Sequence, residues 1–166
     1  MTASERTVAI STEADVDGIL ALQEVNLPDS GGQLSVRMTA DWFRKAISDE
    51  LIVVCRRDDH IIGYVAGTPL ERQMHVPVIQ AMLKSFPAAG DCYVYGPTCV
   101  ASAEPGFGIA GDMFTLLHGK MGKDTAITFI KVDNIPSRRA HMKMGMKELG
   151  LFSSNGVEFM AMTFAD

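Results

Sequence analysis

Pro105-Gly106-Phe107-Gly108-Ile109-Ala110-Gly111 lies between an apolar run ending at Val100 and a stripe formed by Ile109, Met113, Leu116 and Leu117. The stripe recurs at the spacing of one helix face. Glycine lets a backbone approach a ligand closely and accepts positive φ. The first N–H groups of a helix lack helical acceptors and, with the helix dipole, favour an anion. Together these features predict a phosphate-cradling turn at the start of a helix. A diphosphate is its natural guest, and a plain chain reversal is the alternative reading.

The same glycines, Gly106, Gly108 and Gly111, match the dinucleotide fingerprint, and Asp133 follows at about the 20-residue distance that the fingerprint asks of an acid. In that fold, however, the strand runs directly into the first glycine. Here Ala101 to Pro105 intervene, and the chain after Asp133 is short and ends in a hairpin pattern. A dinucleotide-binding enzyme is therefore the lesser of the two phosphate readings.

Working outward, Thr7 to Ile10 reads as a strand, and Thr12 with Asp15 forms a capping-box pattern ahead of Val16, Ile19 and Leu20. A polar loop, Asn26 to Met38, precedes a helix capped by Thr39. Leu51 to Arg56 and His60 to Gly67 make a hairpin across Arg57-Asp58-Asp59. Val76 to Ser85 is helical, with Val76, Ile79, Met82 and Leu83 facing inward. Cys92 to Val100 is a strand interrupted by Gly96-Pro97, a pair that marks an edge, a bulge or a splayed strand. Ala126 to Lys131 is a strand, Pro136 to Met144 a helix closed by Gly145, and Lys147 to Phe152 with Glu158 to Phe164 a last hairpin. The order β-α-α-β-β-α-β-α-β-α-β-β predicts one mixed α/β sheet covered by helices, in a single domain spanning residues 1–166.

Composition narrows the class. The chain has 166 residues, 47% hydrophobic and 21% charged, which suits one globular domain. A net charge of −5 argues against a nucleic-acid partner. No apolar run reaches the ~18–20 residues of a membrane span, so no membrane partner is expected. Cys55, Cys92 and Cys99 lack metal-ligand spacing and read as small buried hydrophobes in a reducing cytoplasm; no metal site is expected.

Three short patterns accompany the glycine turn in fixed order: Cys99-Val100-Ala101 before it, then Asn134-x-x-Ser137 and Lys143-Met144-Gly145-Met146 after it. As a set they resemble the GNAT superfamily of acyl-CoA-dependent N-acyltransferases. The likeness spans nearly the whole chain in element order, and its specific motifs run from Tyr93 to Met146. It implies an α+β fold with a mostly antiparallel six- to seven-stranded sheet flanked by helices and a splayed central strand pair. It also implies acetyl-CoA as acyl donor and an amine acceptor, on a small molecule or a protein; a homodimer is compatible with it.

The resemblance assigns candidate cofactor contacts. Gly106, Phe107, Gly108, Ile109, Ala110 and Gly111 would take the diphosphate through backbone N–H groups. Cys99, Val100 and Ala101 would pair with the pantetheine amides as a missing strand would. An N–H near Val100 could polarise the thioester carbonyl. Asn134, Ser137 and Arg138 would line the cofactor cleft, with Arg138, Arg139 and Lys143 offering charge to the 3′-phosphate. Three positions depart from the pattern: Pro105 and Phe107 stand where the family usually carries polar or basic residues, and His141 where it carries a tyrosine. A CoA-binding or sensing domain without catalysis is the alternative that these departures suggest.

His141 follows Ser137 by four residues, so both face one side of the helix. It can protonate the leaving thiolate, or be a surface histidine without a role. Candidate bases are Tyr93, Tyr95, Asp91 and Glu71. The acceptor side would draw on the Asn26–Met38 loop, the Thr39 helix and the Gly67–Met74 segment, where Asp29, Arg37, Glu71, Arg72 and His75 carry both signs of charge.

Overall fold

The computed structural model describes residues 5–32, 34–104, 108–122 and 125–165. The readings of Pro105, Gly106 and Phe107 lie outside them. The strands are β1 (Arg6–Ile10), β2 (Ile52–Arg57), β3 (His60–Thr68), β4 (Tyr93–Val100), β5 (Thr125–Lys131), β6 (Lys147–Ser154) and β7 (Val157–Ala165). The α-helices are α1 (Val16–Asn26), α2 (Ala40–Ser48), α3 (Pro77–Ser85), α4 (Ile109–Met121) and α5 (Ile135–Lys143). The element order is the one predicted. The strand order is β1-β2-β3-β4-β5-β7-β6, with β4–β5 parallel and the β1–β2, β2–β3, β5–β7 and β6–β7 pairs antiparallel. A doubly wound parallel sheet, which the dinucleotide reading needs, is not what this order builds.

The chain divides into two compact units, one formed by Met1–Gly67 with Pro97–Lys120, the other by Thr68–Gly96 with Met121–Asp166. In the first unit, Thr12 and Asp15 form the expected capping box: the Thr12 N–H donates to Asp15 Oδ2 at 2.8 Å. Asp15 also accepts from both Arg56 Nε, at 3.0 Å, and Arg56 Nη2, tying the start of α1 to β2. Thr39 caps α2 by accepting from Trp42 N–H at 3.1 Å. The β2–β3 turn is tighter than expected, because Arg57 pairs with His60 across Asp58-Asp59 alone.

Helix α4 packs closely on β3. A Cβ at Gly63 would sit 3.1 Å from Met113 Cε, and one at Gly67 would sit 3.0 Å from Leu117 Cδ1. Those glycines are four apart and share one face of the strand. Ile109, Met113 and Leu117 are buried as the stripe predicts, but Phe114 replaces Leu116 as the fourth core residue. Likewise α3 buries Val78 with Ile79 and Met82, while Leu83 is half-buried. The three cysteines are free and buried.

In the second unit, β6 and β7 turn through Asn155-Gly156, both at positive φ, as a two-residue hairpin. Phe129, Phe152 and Phe159 form an aromatic cluster with Phe86 on its margin, ring centroids 5.4–6.4 Å apart. The parallel β4–β5 register runs through Tyr93↔Ala126 and Val94↔Ile127. Gly96 then adopts φ +127°, which side-chain-bearing residues rarely take. This is the splay that Gly96-Pro97 announced.

Candidate active site

In the second unit, the structure brings Tyr95, Ser137 and His141 together. Asn134 caps α5, its Oδ1 accepting from Ser137 N–H at 3.4 Å, and Pro136 stands in the first turn where its missing N–H costs nothing. One turn further, His141 points inward and is 4% exposed. Of the two readings of His141, the surface histidine is the one this burial rules out. The reversal is visible along the helix: Ile135 and Met142 are exposed while the histidine is buried.

His141 Nδ1 lies 2.7 Å from the Ser137 carbonyl oxygen. A carbonyl only accepts, so Nδ1 carries the hydrogen and the neutral ring presents Nε2 as a bare lone pair. That Nε2 is buried with no hydrogen-bond partner. Tyr95 stands edge-on to the ring, centroids 5.6 Å apart. Burial pushes the imidazole below its usual 6.5, and the hydrogen bond to Ser137 offsets part of this. The unfolded chain therefore binds more protons than the folded one between the lowered pKa and 6.5, so stability rises with pH across that window and is lost as pH falls through it. In denaturant titrations, His141→Phe should lose stability less steeply than wild type on acidification below pH 6.5.

The other acid–base candidates sit differently. Tyr93 and Tyr95 are fully buried. Glu71 and Asp91 are exposed in 3-10 turns, Leu70–Arg72 and Pro87–Asp91. Arg138, expected to reach out to a phosphate, is turned inward instead: Nη1 donates to the Val132 carbonyl at 2.7 Å, and Nε and Nη2 donate to Glu148 at 3.1 and 2.8 Å. Arg139 and Lys143 remain exposed on the same helix.

In the first unit, the Ala101 N–H donates to the Ile62 carbonyl at 2.8 Å, so it is not free to pair with a ligand as expected. Backbone groups along a strand alternate sides, which turns the Val100 N–H and C=O away from β3. Cys99 is buried, and burial pushes its thiol up to about 12, which removes it as a nucleophile. At the start of α4, the Asp112 N–H donates to the Gly108 carbonyl at 2.8 Å. The N–H groups of Ile109, Ala110 and Gly111 precede it. Ile109 itself packs its side chain into the core.

Sequence reasoning missed Arg6. Its Nη2 lies 2.9 Å from Asp112 Oδ2, and a Cβ on Gly108 would be 3.6 Å from it. Nearby in sequence, Glu104 takes a two-pronged hydrogen bond from Arg57, at 3.1 and 3.0 Å. Arg6 from β1 and Arg57 from β2 thus each stand beside a carboxylate, Asp112 and Glu104. At the Asn26–Met38 loop, Gln23 clamps Met38, accepting from its N–H at 2.9 Å and donating to its C=O at 3.0 Å, while Arg37 pairs with Glu24.

No protein-family model matches this sequence, and no curated protein matches it. Solved structures do match in fold. A ribosomal-protein-alanine N-acetyltransferase from Brucella melitensis superposes with TM-score 0.70 at 18% identity, over 96% of this chain and 99% of that one. A putative acetyltransferase from Salmonella typhimurium, solved with its cofactor acetyl-CoA, gives 0.71 at 15% identity over 98% and 94%. A GNAT-family acetyltransferase from Streptococcus pneumoniae gives 0.70 at 10% over 97% and 99%. The chain has the GNAT acetyltransferase fold. No helix among the described residues is long and apolar enough to cross a membrane.

Proposed function

We propose that this protein is an N-acetyltransferase that moves an acetyl group from acetyl-CoA to an amine by direct attack. The observation that carries the reading is His141: a buried, unpartnered Nε2 lone pair at the position where the resemblance puts the proton-transfer residue. An orphan polar atom in a core costs about 1–3 kcal/mol. Such a cost persists where chemistry uses the atom.

Acetyl-CoA supplies the activated acetyl group and leaves as the free thiol. His141 Nε2 takes the proton that the attacking amine loses. Burial makes the resulting imidazolium more acidic than a free one, so it returns that proton to the departing sulfur. One residue serves both transfers, and neither Glu71 nor Tyr93 is required. Tyr95 holds the imidazole edge-on. The N–H groups of Gly108, Ile109, Ala110 and Gly111 hold the diphosphate, and Arg6 adds charge beside them. Val100 offers its outward backbone groups to the pantetheine arm, with Cys99 and Ala101 fixing its register. Asn134 and Ser137 set the orientation of His141. Arg139 and Lys143, rather than Arg138, serve the 3′-phosphate.

The test is thiol release from acetyl-CoA with a panel of small amines and peptide N-termini. Turnover with at least one acceptor is expected. CoA binding without turnover on any acceptor would instead favour a sensing domain, the reading that Pro105 and Phe107 suggest. Pro105→Arg should tighten CoA binding by about 1–3 kcal/mol in calorimetry, since it restores a charge-assisted phosphate contact at the turn.

A further inference from the structure

Gln73 has no place in the chemistry above, yet it is among the most buried polar residues, 2% exposed. Its Nε2 donates to Thr68 Oγ1 at 2.8 Å and to the Gly96 carbonyl at 3.0 Å. Thr68 is fully buried. The Gly96 carbonyl therefore takes its hydrogen from a side chain 23 positions away in sequence. The same residue is the one with φ +127° in β4, two positions after the last registered β4–β5 pair, Val94↔Ile127. Space is not the reason for glycine here, because a Cβ would meet only Thr128 Oγ1 at an ordinary 3.7 Å. The backbone conformation is the reason, and Gln73 is the group that holds it.

We infer that Gln73 is a positioning residue that keeps β4 from zipping onto β5 beyond Val94, and so keeps open the strand side that the acyl-CoA arm uses. The inference rests on the proposed acetyl-CoA function. Parallel strands satisfy each other's carbonyls and N–H groups when they lie in register. A free Gly96 carbonyl would seek a β5 N–H. Gln73 removes that incentive by giving one amide hydrogen to the carbonyl, while the other goes to Thr68 Oγ1. Gln73 touches neither reacting atoms nor His141; it acts through the backbone of β4.

The experiment compares full-length wild type, Gln73→Met and Thr68→Val by CoA calorimetry, steady-state kinetics and hydrogen exchange. Gln73→Met removes the donor at nearly constant volume. It should weaken CoA binding about tenfold and raise the acetyl-CoA KM similarly, while kcat at saturation stays within twofold. Exchange of the β5 amides between Ile127 and Ile130 should slow as the ladder closes. Thr68→Val keeps the Gly96 contact and should behave as wild type. Should Gln73→Met fail to fold, Gln73→Leu, which likewise carries no donor, takes its place. Unchanged affinity and exchange in the Gln73 variant would overturn the inference, as would an equal loss in Thr68→Val, which would mark a mere packing effect. If wild type itself binds no CoA, the proposed function fails, and the exchange comparison still decides what Gln73 does to β4.

Discussion

Replacing His141 with phenylalanine should lower the turnover number for acetyl transfer about 100-fold or more, the size of a general acid–base contribution, with CoA affinity unchanged. Phenylalanine keeps an aromatic ring edge-on to Tyr95 and is only modestly larger than histidine. It removes both ring nitrogens, and with them the hydrogen bond from Nδ1 to the Ser137 carbonyl. Stability at neutral pH should change by no more than about 1 kcal/mol, because losing the orphan Nε2 offsets losing the Nδ1 bond to the Ser137 carbonyl. That combination, activity lost and stability kept, separates a working group from a structural one. The pH profile adds a sign. In wild type, activity should rise with pH through a pKa below 6.5, as His141 loses its proton and becomes able to accept one. The residual activity of the variant should lack that limb. Wild-type-like turnover in His141→Phe would move proton transfer elsewhere in the site.

The largest effect on stability is expected at Asp15. Its side chain is 8% exposed and that of Arg56 24%, so the pair is mostly withdrawn from water. Asp15→Ala deletes the carboxylate that holds Arg56 and the Thr12 N–H together. Breaking a buried pair costs about 3–5 kcal/mol, and losing a helix cap costs ~1. Partial exposure of Arg56 lets water recover some of this, so a net loss of roughly 3 kcal/mol is expected in urea unfolding. Asp15→Asn should lose less, because it can still accept from Thr12. A loss below about 1 kcal/mol for the alanine variant would place the pair among ordinary surface contacts.

These residues show where sequence reading works and where it stops. Local devices were legible: the Thr12–Asp15 box, the Thr39 cap, the Asn155-Gly156 turn, and the Ile109, Met113 and Leu117 stripe all depend on residues a few positions apart. The splay was legible too, because glycine followed by proline breaks a ladder in any context. What stayed hidden depends on distant partners. Arg6 meets Asp112 across 106 positions, and Gln73 meets Gly96 across 23. A buried glutamine leaves no periodic trace, since its burial is stabilised by hydrogen bonds rather than by apolar surface. Arg138 looked available because nothing local shows that Glu148 and the Val132 carbonyl will engage it. Helix α5 misleads most, because it exposes Ile135 and Met142 and buries His141. Where pattern and burial conflict in this way, a functional site is the usual cause.

The central claim is that acyl-CoA is the ligand of this fold in this chain. Calorimetric titration with CoA, NAD and NADP in parallel tests it most directly. One CoA should bind per chain, with an affinity that weakens in Arg6→Gln, and neither dinucleotide should give heat. Binding of NAD or NADP in place of CoA would contradict it.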